Sequence, residues 1–397
     1  MRALLSLPRP ARRLVVATAV ATAAGLGPSG RADAAVFGLQ GTSSSLQTTS
    51  DRDLDLAERS GARVYRVQAT WSALEPIARG IRDPGALALL DHLVAGAAQR
   101  GMRTILVLSS TPCWASSAPA SDRGGCVGPT PNRFAVTRYQ PAAANSAVPI
   151  ATFLAARYRS NLAAFQVWNE PDQSNENYWA GPDKVVNYVK LVRALYRPLK
   201  RAAPSVPVIA GSFVGTNGRW LQAMYDARAN GFYDGLAVQF YNATLNGLRV
   251  TREVQRRNRD ATPLWLTEWG FTDCYRKGEP LVQIDQPCVT PASAARGIID
   301  VLTALKTRPW VRAAVLYNTS DDGPGGYTFG LFTAAGRPKA SYTAVRRVLT
   351  GVARTPKAPT VRVGRVGGGV VVSGTASRAD VVTLRVTQAG VLRLRTV

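Results

Sequence analysis

Two glutamates stand where chemistry is possible. Glu170 ends an apolar run, 163–168 (AAFQVW), inside the stretch Asn169-Glu170-Pro171-Asp172. Glu268 ends another, 263–267 (PLWLT), and is followed by Trp269-Gly270. The runs read as strands, so each carboxylate sits at a strand end. Two opposed carboxyl groups suit cleavage of a glycosidic bond. One, protonated, donates to the leaving oxygen, while the other, ionised, attacks carbon or holds a water. Repulsion between them and unequal burial would separate their pKa values into those two roles. Other chemistries have less material. The single histidine, His92, lies beside Asp91 in a helical stretch and reads as a surface or packing residue. A His-rich metal site is thereby excluded, and a Ser-His-Asp triad would depend on that one residue. Glu75 and Glu176 read as solvated loop carboxylates.

The elements that must position the pair alternate strictly. Candidate strands are 36–40, 63–68, 103–109, 163–168, 206–211, 235–240, 263–267 and 311–317. Candidate helices are 51–60, 85–100, 148–160, 183–201, 218–229, 247–258, 291–306 and 338–350. A helix after every strand requires parallel strands with helical crossovers. Eight such units in 35–352 predict an α/β fold of the (β/α)8 TIM-barrel type, with the third strand separated from its helix by a long loop. An open doubly wound sheet lacks support, because GTSSS follows the first strand and no GxGxxG is present. In such a barrel active sites lie at the C-terminal strand ends, so Glu170 and Glu268 are expected on one rim.

At these residues the chain resembles the clan A retaining glycoside hydrolases, and most closely family 39 and its neighbours (β-xylosidases, α-L-iduronidases and bacterial exopolysaccharide endoglycosidases). The resemblance spans about 36–350. It is carried by VWNEPD and WLTEWGF, with echoes in Ser110-Thr111-Pro112-Cys113-Trp114 and in GLFTAAGRPKASYTAV after the eighth strand. It implies that Glu170 is the general acid/base and Glu268 the nucleophile, with carboxyl groups about 5–5.5 Å apart. It further implies that Asn169 bonds the sugar 2-hydroxyl, that Arg66 supports the nucleophile and that Tyr241 hydrogen-bonds it. Two positions depart from the family pattern. Gln239 stands where His-x-Tyr is common, and glutamine bonds but does not titrate. Tyr317-Asn318 stands where a tryptophan is usual. Gln239 and Asn318 are therefore candidate substrate-binding residues. Trp71, Trp114, Trp179 and Trp269 lie near strand ends, where an indole either stacks on a sugar face or fills core. Asn169 has an alternative as a turn former and Arg66 as a barrel ion pair. No metal and no organic cofactor are expected. The alternatives to hydrolysis are a glycan-binding barrel without activity and a transglycosylase on the same residues.

The ends of the chain carry other signals. Residues 1–13 hold four arginines and no acid, 14–26 are apolar, and Ala32-Asp33-Ala34 supplies a small-x-small site. That is the pattern of a secretory signal peptide, 1–34, cleaved near Ala34, and predicts a secreted protein. No later stretch has 18 consecutive apolar residues, so no integral membrane segment is expected in the mature chain. The net charge of +24 falls to about +20 without the signal. The arginines are scattered and no nucleic-acid motif occurs, so the expected partner is an oligo- or polysaccharide, acidic or wall-associated, bound by a monomer. Cys113 and Cys126, and Cys274 and Cys288, each bracket one rim loop, which makes local disulfide pairing the simplest of three possibilities. A zinc site built from all four cysteines lacks CxxC spacing. From 353 a Pro-bearing linker leads into a small all-β tail of three or four strands ending at 397, with a turn at Gly374.

Overall fold

The computed structural model describes residues 35–41, 51–126, 133–214, 217–241, 245–273, 289–322 and 326–350. Of the tail it describes the strands 360–366, 369–375, 383–388 and 391–396. The expected signal at 1–34 and the pair Cys274 and Cys288 lie outside the described residues.

Eight parallel strands close on themselves in sequence order. They are β1 (Val36–Gln40), β2 (Val64–Thr70), β3 (Arg103–Ser109), β4 (Leu162–Val167), β5 (Val208–Val214), β6 (Gly235–Tyr241), β7 (Leu264–Gly270) and β8 (Val311–Tyr317). Closure is explicit in the register, since Gly38 pairs with Val64 of β2 and with Val315 of β8. The crossover helices are α1 (Asp51–Arg59), α2 (Pro84–Gln99), α3 (Val148–Tyr158), α4 (Lys184–Ala202), α5 (Gly218–Asp226), α6 (Asn246–Arg257), α7 (Pro291–Leu305) and α8 (Ala340–Thr350). The chain is a (β/α)8 barrel, as its alternation predicts.

Local chemistry starts the helices. Asp83 caps α2 by accepting from the Ala86 N–H at 2.7 Å, and Pro84 follows at the first helical position. Thr290 and Pro291 repeat the device on α7. One stripe of each helix then goes inward. In α2 it is Leu90, Leu93, Val94 and Ala97, and in α7 it is Ala294, Ile298, Val301 and Leu305.

Strand alternation divides the interior into two compartments. One parity packs against the helices. The other fills the lumen with Val64, Ile105, Val107, Ala164, Ile209, Ala237, Trp265, Ala313 and Val315. Two residues further along the same strands, on the same face, the apolar layer gives way to a polar one. Val64 is followed by Arg66, Ala164 by Gln166 and Ala237 by Gln239, all fully buried. The lumen thus has an apolar floor beneath a polar layer at the C-terminal rim, and the site is built on that layer.

Among its described residues the loop after β3 holds five short helical pieces, Cys113–Ala115, Ala120–Arg123, Gly124–Cys126, Arg133–Thr137 and Ala144–Ala147. The Cys113–Cys126 disulfide, a bridge expected from spacing, ties its first part. Residues Arg31–Val352 and the tail from Ala353 form separate compact units. The tail contains β9 (Thr360–Val366) paired antiparallel with β10 (Gly369–Thr375), and β11 (Thr383–Gln388) paired with β12 (Val391–Thr396). The turn expected at Gly374 is absent. That glycine pairs with Val361 inside β10.

Candidate active site

Arg66 is the hub of the rim. Its side chain is wholly buried, and a guanidinium has five donors to satisfy. It donates from Nε to Gln166 Oε1 at 3.2 Å, from Nη2 to Asn169 Oδ1 at 2.7 Å, and from Nη1 to Gln40 Oε1 and Glu268 Oε1. Acceptors from β1, β4, β7 and the turn after β4 therefore converge on one cation from β2. A buried ion pair holds only when its remaining donors and acceptors are also met. Here the glutamines meet them.

Glu268 is held from three sides. Besides Arg66, Gln239 Nε2 donates to its Oε1 at 3.1 Å and the Tyr241 hydroxyl to its Oε2. Gln239 Nε2 also lies 3.1 Å from Asn169 Oδ1 and 2.7 Å from Ser212 Oγ. Its Oε1 is buried without a partner among the described residues. The facing carboxylate and amide oxygen both require a donor, so the opposite rotamer would be repulsive. Burial, followed by the charge of Glu268, pushes the Tyr241 phenol well above its ordinary pKa, so it stays a donor.

Glu170 has a different setting. Trp168 and Glu170 both take left-handed backbone conformations, with φ of 70° and 42°. Non-glycine residues reach that region at a cost of about 1 kcal/mol or more each. The turn is pinned at Trp168. The Trp168 N–H donates to Leu108 O at 2.9 Å, and its Nε1 donates to Tyr178 O at 2.6 Å. The indole also meets Trp179 edge-on at 5.0 Å. Burial pushes the Glu170 carboxyl well above the usual carboxylate range, and the Glu268 charge adds to it. Arg66 and a hydrogen bond from Gln173 Nε2 work against that rise. One carboxyl is thus surrounded by donors, and the other is driven toward its protonated form.

The other sequence candidates separate. Asn169, Arg66, Tyr241 and Gln239 join the two glutamates in one network. Trp71 and Trp269 do not present a ring face, both being 0% exposed. Trp71 bonds Glu75 Oε2 at 3.0 Å and packs edge-on against Trp114 at 5.5 Å. Trp114 is part-buried and donates to Glu75 O at 2.8 Å. Trp179 is buried core between Trp168 and Tyr188. Glu75, expected in solvent, is fully buried, because Trp71 Nε1 and the Gly80 N–H at 3.1 Å consume its oxygens. Glu176 pairs with Lys184 at 2.9 Å, and His92 is half-exposed, 3.3 Å from Asp51. Asn318 is fully buried, and its amide finds no partner among the described residues.

Sequence reasoning passed over Gln40, Gln166 and Ser212, which complete the network, and Gln173 and Tyr178, which border Glu170. Gln40 and Gln166 carried a signal, being lone polar residues in otherwise apolar strands. Tyr178 lies in an irregular loop and carried none. Among the described residues no cluster of three His, Cys, Asp or Glu side chains could hold a metal ion.

Comparison with known proteins agrees with this geometry. A family model described as the glycosyl hydrolase catalytic core matches residues 143–342, half of the chain, and takes in both glutamates. The chain belongs to this family. A second model, the cellulase (glycosyl hydrolase family 5) type, matches residues 31–213. This glycosyl hydrolase has no match among curated proteins. Among solved structures it is similar to a family 39 glycoside hydrolase from Bacteroides cellulosilyticus WH2. The identity is 18% and the TM-score 0.57, over 89% of this chain and 72% of that one. A monomeric β-xylosidase from Caulobacter crescentus CB15 gives 16% identity and a TM-score of 0.56, over 90% and 74% of the two chains. A GH5_18 enzyme from Streptomyces cattleya, solved with Manβ1-4GlcNAc, gives 18% and 0.55, over 80% and 82%. These likenesses concern the fold, and the enzyme is a glycosidase of this barrel type.

Proposed function

We propose that this glycosidase is secreted and cleaves an oligo- or polysaccharide with retention, by double displacement on Glu268 and Glu170. The observation that carries the reading is the asymmetry of the pair. Arg66, Gln239 and Tyr241 all donate to Glu268, whereas burial and the Glu268 charge favour a protonated Glu170.

In the first step a Glu268 oxygen forms a bond to the anomeric carbon as the glycosidic C–O bond breaks. The bonding electrons leave with the glycosidic oxygen, which takes the Glu170 proton. In the second step Glu170, now a carboxylate, removes a proton from water. The water oxygen bonds to the same carbon, and Glu268 leaves. Two inversions give net retention. Asn169 has its Oδ1 occupied by Arg66 and Gln239, so its amide Nδ2 is the end available to a sugar hydroxyl. Secretion rests on the basic, apolar and small-residue pattern of 1–34.

The test is the anomer first released from an aryl glycoside, read by NMR before mutarotation. Retention is expected, with Glu268→Gln inactive and Glu170→Gln partly rescued by azide on an activated substrate. Release of the inverted anomer would remove Glu268 as nucleophile. Binding without turnover on every substrate would favour a glycan-binding barrel. The mature N-terminus from a culture supernatant, expected near residue 35, tests export.

A further inference from the structure

Beside Glu170 the rim holds a cavity that the double-displacement residues do not use. Its volume is about 110 Å³. Polar groups from the ends of β2 and β3, Gln68, Ser109 and Ser110, form one wall, and Asn177 and Tyr178 from the loop after β4 form another. Phe134 and Arg138 close it from the β3 loop. Tyr178 joins the cavity to the catalytic centre. It lines the cavity, and its phenol is pushed up by burial, then by the charges of Glu170 and Glu268.

Three features of the lining point to a ligand. Phe134 keeps 57% of its surface exposed, a large apolar ring left open in a polar rim. An aromatic face of this kind stacks on the C–H face of a pyranose ring. Arg138 is half-buried, with its guanidinium carbon 4.8 Å from the Tyr139 ring centre and Nη2 3.4 Å from the Tyr139 hydroxyl, and it forms no ion pair among the described residues. No aspartate or glutamate lines the cavity. Two acids of the surrounding loops are committed elsewhere, Asp122 accepting from Tyr139 at 2.9 Å and Glu176 pairing with Lys184.

We propose that this cavity is a subsite for an anionic sugar, a uronate, whose carboxylate is held by Arg138 and whose ring lies on Phe134. A planar guanidinium matches a carboxylate with two parallel hydrogen bonds. The proposal rests on the glycosidase reading for its placement beside Glu170 and adds the class of sugar.

Binding can be read without turnover. The full mature chain carrying Glu268→Gln is titrated with sodium glucuronate and with glucose, by saturation-transfer NMR. Wild-type hydrolysis of aryl glycosides, run in parallel, reports on the parent reading, so the two fail separately. Glucuronate is expected to bind roughly tenfold tighter than glucose, the size of one charge-assisted contact at a partly exposed site. Adding Arg138→Gln should erase that preference, while Arg138→Lys keeps part of it. Adding Phe134→Ala should weaken both sugars alike. Arg249→Gln, on the exposed face of α6, controls for the general positive charge and should change nothing. Equal binding of the two sugars would overturn the anionic class. A preference that survives Arg138→Gln, or falls equally with Arg249→Gln, would overturn this site. Thermal melting of each variant is recorded alongside. If Arg138→Gln fails to fold, Arg138→Lys takes its place: an intermediate preference supports the site, and an unchanged one overturns it.

Discussion

Glu170 carries a stability cost that its role requires. Its folded pKa is raised, so the native state holds the proton more tightly than the unfolded chain. The resulting stabilisation is fully present below the unfolded value, about 4.3, and is lost as pH rises through the folded value. Glu170→Gln is always neutral. It should therefore melt above wild type at pH 8 and level with it at pH 4, while hydrolysis falls. A wild-type melting temperature equal to the variant's at both pH values would contradict the burial argument. The Gln173 amide favours the ionised carboxylate, so Gln173→Leu should move the alkaline limb of the activity profile to higher pH. Gln239 is a sharper probe of the network. Gln239→Leu removes the two N–H groups that Glu268, Asn169 and Ser212 share. The expected loss is ~10- to 100-fold in kcat/KM. The two glutamates, the asparagine, the arginine and the tyrosine were legible from motif and strand end. The buried tryptophans were not, because residue type and loop position are the same for a sugar platform and a core plug.

At the scale of elements, all eight strands and eight helices could be read from apolar runs and breaks. Three strands run further than their apolar runs were read. The run ending at 68 continues as β2 to Thr70, the run ending at 211 as β5 to Val214, and the run ending at 267 as β7 to Gly270. In β7 the polar Glu268 ends the apolar run, yet the backbone ladder goes on, so Glu268 lies within β7 and not after it. The loops were legible only as lengths. One of them has a latch that no pattern announced. Lys339, almost fully buried, meets Asp273 Oδ1 at 2.7 Å, Asp321 Oδ1 at 2.9 Å and Thr328 O at 2.9 Å. It thereby fastens the segment that sets Phe329 against Tyr241, with ring centres 4.9 Å apart. Lys339→Met would leave two buried carboxylates facing each other. A loss of about 3–5 kcal/mol is expected in urea unfolding, as for other buried pairs deprived of one partner. Activity should fall in the same variant below the unfolding transition, because Tyr241 loses its backing. The Cys113–Cys126 bridge closes a loop with a sequence separation of 13, worth about 3 kcal/mol in the chain-entropy model. Its double serine variant is a milder test on the same scale.

For the whole molecule, charge and modularity make separate predictions. A formal charge of +24 raises the local concentration of a polyanion, and salt screens that effect. Hydrolysis of an acidic polysaccharide should slow as salt rises from 20 to about 300 mM, a range over which the Debye length shrinks several-fold. Hydrolysis of a neutral aryl glycoside should stay flat. Parallel salt curves would assign the charge no part in substrate capture. Among the described residues the tail strands pair in two hairpins, and the barrel ring is made of its own eight strands. A chain of residues 35–352 should accordingly melt within about 3 °C of the longer one.

Ring closure also decides where other chains can attach. Every described barrel strand has two neighbours, so the ring offers no open backbone edge to an incoming strand. The tail is built the other way. Among the described residues each of its sheets has only two strands, so each strand has one strand neighbour. Among the described residues, strand-by-strand growth, useful as an anchor or harmful as a fibre, therefore has its templates in the tail and not in the barrel.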